Sequence, residues 1–256
     1  MSDWKVSLEN FNAILSELRQ GLQEQNRKLR FNKSFVIASD VASQFYCEKK
    51  VEMQYLLGRV ETEAMSIGTA AHEKLTEDSV KVKRQELWQK IYGPQQVFAL
   101  EMFLLAKYNE VLLAGKPDSV LFASGFPLVV FEYKFSQSSV DYPSYHVQAE
   151  TYGVLLENMG FDTSKLFYAI VVADPKTKGS RQLRQFVVLS LKAYGLKEGA
   201  FSVPDAKIYV VKFNREIANK NLNWALAFWE NSRKAQLTDN PNKCLRCKYK
   251  TDCQKT

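Results

Sequence analysis

The chain has 256 residues, 46% hydrophobic, 12% aromatic and 25% charged, a composition that excludes a disordered or fibrous protein and suits one large globular domain or a domain with an appendage. Its net charge of +7 fits a nucleic-acid partner, because Lys and Arg displace phosphate counterions, but the basic residues are dispersed and form no tail. No apolar run approaches the ~18 residues of a membrane span, and Met1-Ser-Asp-Trp-Lys-Val lacks an apolar signal region, so the expectation is a cytoplasmic protein without a membrane partner.

Residues 7–29 read as an amphipathic helix, with Leu8, Phe11, Leu15, Leu18 and Leu22 at helical spacing and Ser7 placed as its N-cap. A polar stretch follows, so residues 1–35 are taken as an N-terminal helical extension and 36–256 as the main domain. A second helix is expected from Ser39-Asp40 through Val41, Phe45, Cys47, Val51 and Tyr55 to a stop at Gly58. A third opens around Ser66-Ile-Gly-Thr69 and carries His72.

The period then changes. Val97–Lys107, Glu110–Phe122 and Leu128–Phe135 are rich in Val, Leu and Phe and read as three strands, the last two joined as an antiparallel hairpin by Ser124-Gly-Phe-Pro127. Helical spacing returns over 142–158. The apolar run 166–173 reads as a buried strand, 185–191 and 207–213 as further strands, and 216–235 as a helix before a cysteine-bearing tail. Helix, three strands, helix, strand makes a mixed α/β layer, with no internal repeat.

The hairpin carries the sharpest chemistry. Asp118 on one strand falls roughly opposite Glu132 on the next, and Glu132 and Lys134, two apart, leave the same face. Two carboxylates can hold a hard divalent cation, which polarises a phosphate and acidifies water, while a lysine steadies that water. An exposed Glu–Lys ion pair is the plain alternative. His72 could reach the same cation as a neutral imidazole, and His146 reads as an ordinary helix histidine. Gln148 and Tyr152, four apart on one helical face, could hold a DNA backbone or the lysine.

Three of the four cysteines stand at 244, 247 and 253, and the fourth, Cys47, lies far upstream. In a reducing compartment such a cluster points to metal more than to disulfides. Zinc sites commonly pair two C-x-x-C units; here there is one, plus a thiol six positions on and a remote partner, an asymmetry that favours an iron–sulfur cluster without excluding zinc.

In order and spacing, His72, Asp118, Glu132-x-Lys134 and Gln148-x-x-x-Tyr152 resemble the motifs of RecB-like nucleases of the PD-(D/E)-x-K superfamily. With Cys47, Cys244, Cys247 and Cys253 the chain looks most like the iron–sulfur members, and among those like the CRISPR-associated RecB-like exonucleases, the fourth Cas family. The segments Asp40–Cys47 and Asn242–Cys253 carry that second likeness. The resemblance covers roughly residues 36–256. It implies a restriction-endonuclease-like mixed sheet flanked by helices, with an iron–sulfur-stapled helical subdomain built from both ends of the chain.

It also implies roles. His72, Asp118, Glu132 and the Tyr133 carbonyl would bind manganese or magnesium, Lys134 would be the catalytic lysine, and Gln148 and Tyr152 would complete the site beside DNA. The cysteines would ligate a cluster, [4Fe–4S] rather than [2Fe–2S]. The implied activity is that of a deoxyribonuclease on single-stranded ends, 5′ to 3′ and in some members endonucleolytic, working in antiviral defence with CRISPR integrase proteins on single strands or on duplexes with overhangs. The same motifs occur in repair and viral nucleases outside CRISPR, and a DNA-binding subunit with a silent site is the non-enzymatic alternative. Glu48 departs from the family, which often has proline directly after its first cysteine.

Overall fold

The computed structural model describes residues 4–23, 29–60, 80–136, 140–175, 181–245 and 247–253. Helix α1 (Trp4–Gln23) is followed by a single 3-10 turn, the short β1 (Val36–Ile37), α2 (Ala38–Leu57), α3 (Arg84–Ile91), β2 (Gln96–Leu100), β3 (Leu104–Tyr108), β4 (Val111–Gly115), β5 (Ser119–Ala123) and β6 (Phe126–Phe135). Then come α4 (Pro143–Asn158), β7 (Phe167–Ala173), α5 (Arg181–Tyr194), β8 (Gly199–Val203), β9 (Ala206–Lys212), α6 (Arg215–Trp229), α7 (Asn242–Leu245) and α8 (Lys250–Cys253). The expected helix bearing His72 lies outside the described residues.

Among the described residues the strands form a six-stranded mixed sheet, ordered β2-β5-β6-β7-β9-β8, and a three-stranded sheet, β1-β4-β3. The β5–β6 hairpin is antiparallel, and β7 returns parallel to β6 after α4 has carried the chain back along the sheet, as a parallel pair requires. The hairpin turns on Ser124 and Gly125, both at positive φ (49° and 86°), the geometry whose twist matches that of the strands it joins.

Strand alternation sorts the core into two layers. On β7, Tyr168, Ile170 and Val172 join the larger cluster under α4, while Ala169, Val171 and Ala173 face the smaller one under α5. On β6, Val130 belongs to the α4 side and Val129, Phe131 and Tyr133 to the α5 side. Glu132 and Lys134 are in phase with Val130, so both project toward α4. Asp118 is in phase with Val120 of β5, which belongs to the same α4-side cluster.

Several expectations are corrected. Residues 185–191 are helical within α5, not a strand: Leu183, Val187 and Leu191 recur every four residues and are buried on the sheet, and this period overrides the β-preferring Val-Val-Leu run. Each of the first two expected strands is two strands, broken at Glu101 (φ 47°) and at the Lys116-Pro-Asp118 corner, and β8 was not foreseen. The first helix begins at Trp4, so Ser7 is interior rather than capping. Its buried hydroxyl accepts a bond from Trp88 Nε1 at 3.1 Å. The last long helix stops at Trp229, short of 235, and its cap is Asn214, whose Oδ1 accepts the N–H groups of Glu216 and Ile217. Phe11 of α1 is buried in the larger core against Trp88.

Helix α2 behaves as expected up to Cys47, which leaves helical geometry at φ −168°, ψ 111°. The next residue, Glu48, is 1% exposed. Arg233 clasps its carboxylate (Nη2–Oε1, 2.8 Å), Gln44 Nε2 donates to it, and the Gln236 N–H reaches it at 2.8 Å. Glu48 thus anchors the segment after α6.

Candidate active site

The last turn of β6, the first residue beyond the Pro117 corner, and the outer face of α4 meet in a cavity of about 430 Å³. Asp118, Glu132, Lys134 and Gln148 all line it. The register that pairs Ser119 with Phe131 brings Asp118 to the level of Glu132, and the Asp118 carboxylate accepts the Tyr133 N–H at 2.7 Å. One acid is therefore fixed by the backbone of the strand that carries the other.

Lys134 is held from two sides. Its ammonium donates to Glu132 Oε1 at 2.7 Å and to Gln148 Oε1 at 2.9 Å. Gln148 Nε2 donates to the Tyr152 hydroxyl at 2.8 Å, and that hydroxyl donates to the Lys116 carbonyl at 3.3 Å. The chain of bonds pins the lysine to the corner from which Asp118 projects. Ammonium has three donors, and among the described residues two are spent on Glu132 and Gln148, which leaves one for water or a phosphate oxygen.

Burial tunes the phenols. Tyr152 is held well above its ordinary pKa by burial first, then by the Glu132 charge, with the Gln148 bond working the other way; it stays a neutral donor. Tyr133 is raised by burial and by Asp118, and its ring packs on the α5 side. Gly115 makes room for this arrangement: a Cβ there would lie 2.7 Å from the Tyr152 ring, closer than carbon atoms pack.

Ser39 and Ser43 from the first turns of α2, Ser144 and Tyr145 at the start of α4, and Lys116 also line the cavity. These were missed from the sequence. Tyr145 could have been found, since it lies three residues before Gln148 on the same helical face; the serines belong to an element joined to the site only by tertiary packing. The Lys134 ammonium lies 5.2 Å from the Tyr145 ring centre. Burial first, then Tyr142, Asp141 and Tyr46, push the Tyr145 phenol to about 12. His72 falls outside the described residues. His146 stands apart, bonded to Asp141 (2.6 Å) and Tyr168 (3.2 Å) beside a second cavity.

Three of the cysteines follow one another along the tail that docks on the helix carrying the fourth. Cys244 sits in α7, the Cys247 N–H bonds the Cys244 carbonyl, and Cys253 ends α8. The tail docks along α2 through Lys243 Nζ to the Tyr46 carbonyl (2.8 Å) and through Tyr249, which donates to the Gly58 carbonyl (2.7 Å) and accepts the Val60 N–H. None of the four cysteines is in a disulfide, and all are partly exposed. Burial first, and then Cys47, raise the Cys253 thiol, with Lys49 working the other way and Cys247 and Cys244 adding to the rise. Among the described residues no three His, Cys, Asp or Glu side chains form a group able to hold a metal ion. No helix there is long and apolar enough to cross a membrane.

A mixed sheet presenting Asp, Glu and Lys at one edge, braced by a helix that begins just past that edge, is the scaffold of a phosphodiester-cleaving enzyme of the restriction-endonuclease type. The model of the PD-(D/E)XK nuclease superfamily matches residues 39–254, and the chain belongs to that superfamily. Among solved structures, SSO0001 is similar with a TM-score of 0.48 and 11% identity, covering 94% of this chain and 96% of that one. No curated protein matches the sequence.

Proposed function

We propose that the protein is a divalent-cation-dependent deoxyribonuclease acting on single-stranded DNA ends, 5′ to 3′, in the processing of new CRISPR spacers beside the integrase proteins. The observation that carries the nuclease reading is the Asp118–Tyr133 N–H bond together with the Glu132–Lys134–Gln148 chain, which sets two acids and an ammonium around one cavity. The donor set suits a hard cation: oxygen atoms of Asp118 and Glu132 would hold it with the Tyr133 carbonyl, and His72 would add an imidazole. Such a cation, manganese or magnesium, would polarise the scissile phosphate and acidify water. Lys134, fixed by Glu132 and Gln148, orients that water or meets the developing charge on phosphate, and Gln148 and Tyr152 keep the ammonium from swinging away.

What supports the CRISPR assignment is the four-cysteine pattern with the tail docked on α2. By their soft donors and single C-x-x-C unit, Cys47, Cys244, Cys247 and Cys253 would suit an iron–sulfur cluster, [4Fe–4S] in preference, although the described residues do not gather three of them into a metal-holding group. Its role would be structural, because hydrolysis moves no electrons.

The deciding experiment is cleavage of end-labelled single- and double-stranded DNA with manganese, magnesium or EDTA. We expect cation-dependent shortening of the single strand that is lost in Asp118→Ala and Lys134→Ala. Cleavage unchanged in those variants would assign the activity to another site or a contaminant.

A further inference from the structure

Three partly exposed tyrosines stand on or at the start of the two helices that line the cavity. Tyr46 lies on α2 immediately before Cys47. Tyr142 caps α4, and Tyr145 lies one turn inside it, lining the cavity beside Lys134. The Tyr142 and Tyr145 rings stand 5.3 Å apart at 80°. Lys243 and Lys50 place their ammonium groups 4.7 Å and 5.1 Å from the Tyr46 ring centre, as Lys134 does at the other end of the row. Ser43 of α2 lines the cavity together with Tyr145, and Tyr46 lies three residues past Ser43 on the same helical face, so the three tyrosines stand along the seam where α2 packs on α4.

We propose that Tyr46, Tyr142 and Tyr145 form a stacking track that leads the bases of single-stranded DNA from the cysteine tail to the catalytic cavity, with Lys50 and Lys243 taking the phosphates at its outer end. Alternating aromatic faces and cations are what an unpaired strand requires: bases lie on rings, the backbone follows the charge, and no base identity is read. Duplex DNA, whose bases face one another, gains nothing from the rings. Tyr142 and Tyr145 meet edge to face, so the two rings offer differently oriented faces to successive bases. The inference rests on the nuclease reading above and adds the basis for preferring single strands.

The test is fluorescence anisotropy with a fluorescein-labelled oligothymidylate and a blunt duplex in EDTA, paired with manganese-dependent cleavage kinetics. Tyr46→Leu and Tyr142→Leu should each weaken oligothymidylate binding about tenfold and raise KM while leaving kcat within about twofold. Tyr46→Phe and Tyr142→Phe, which keep the ring, should bind as the parent does, and duplex binding should not move. Tyr142→Leu is decisive because it lies on α4, away from the cysteines; if only Tyr46→Leu weakens binding, the track is overturned and the effect belongs to the tail. Parent-like binding by both Leu variants, or equal losses on duplex and single strand, also overturns it while leaving the nuclease reading intact. A parent protein that cleaves no DNA with any cation overturns the nuclease reading instead, whatever the tyrosines do.

Discussion

At the scale of single residues, the site is built from short bonds whose loss is measurable. Gln148 bonds the lysine, and if it acts only by orienting it, Gln148→Ala should slow single-turnover cleavage by about 10–100-fold, the usual cost of losing an orienting partner. Lys134→Ala, which removes the charge itself, should cost at least about 10²–10³-fold. Equal losses for the two would mean that Gln148 acts directly. Glu48 offers a stability test outside the cavity. Its carboxylate is 1% exposed and bonded to Arg233 and the Gln236 N–H, and removing one member of a buried pair leaves the other uncompensated. Glu48→Ala should therefore destabilise the fold by about 3–5 kcal/mol in urea unfolding; a loss below 1 kcal/mol, roughly an exposed pair's worth, would show that Arg233 finds another partner.

At the scale of elements, the sequence was most legible where local chemistry and global packing agree. Ser124-Gly125 announced a tight turn, and the period-2 alternation of β6 put Glu132 and Lys134 on one face; the structure sets that face toward α4. Alternation also places Asp118 with them, since its neighbour Val120 faces the same way. Legibility failed where a run obeys two rules at once. Phe186-Val-Val-Leu189 favours a strand by residue type, but Val187 is fully buried between Leu183 and Leu191, each about one turn away, and the sheet beneath selects the helix. Val187→Ala should cost about 2 kcal/mol by methyl burial, whereas Val188→Ala, on a neighbouring bearing of the helix, should cost less; chemical denaturation of the two tells them apart. The α2 side of the cavity was invisible for another reason. Ser39 and Ser43 reach it only because α2 packs against α4, a contact that no sequence window contains.

At the scale of the whole molecule, α2 joins the two proposed centres: its first turns line the cavity, and its kink at Cys47 faces the tail. Anaerobically purified protein should carry iron and acid-labile sulfide, and Cys47→Ser or Cys253→Ser should lose both and melt at lower temperature, because a ligated cluster stabilises the state that binds it. Stoichiometric zinc without iron would reject the cluster. Because Cys47 is outside the cavity, any residual cleavage by Cys47→Ser at low temperature measures how far the catalytic edge depends on the tail.

The bond from Lys243 to the Tyr46 carbonyl spans 197 positions of sequence. At a synthesis rate of roughly 5–20 residues per second, the second half of α2 leaves the ribosome some ~10–40 s before the segment that covers it exists. During most of that interval Glu48 has its bond from Gln44 but not those from Arg233 and the Gln236 N–H, and the contacts of Lys243 and Tyr249 with α2 wait until those residues are made. A chain interrupted after α6 but before residue 243 would therefore carry Asp118, Glu132, Lys134 and Gln148 on their own elements with the second half of α2 still uncovered.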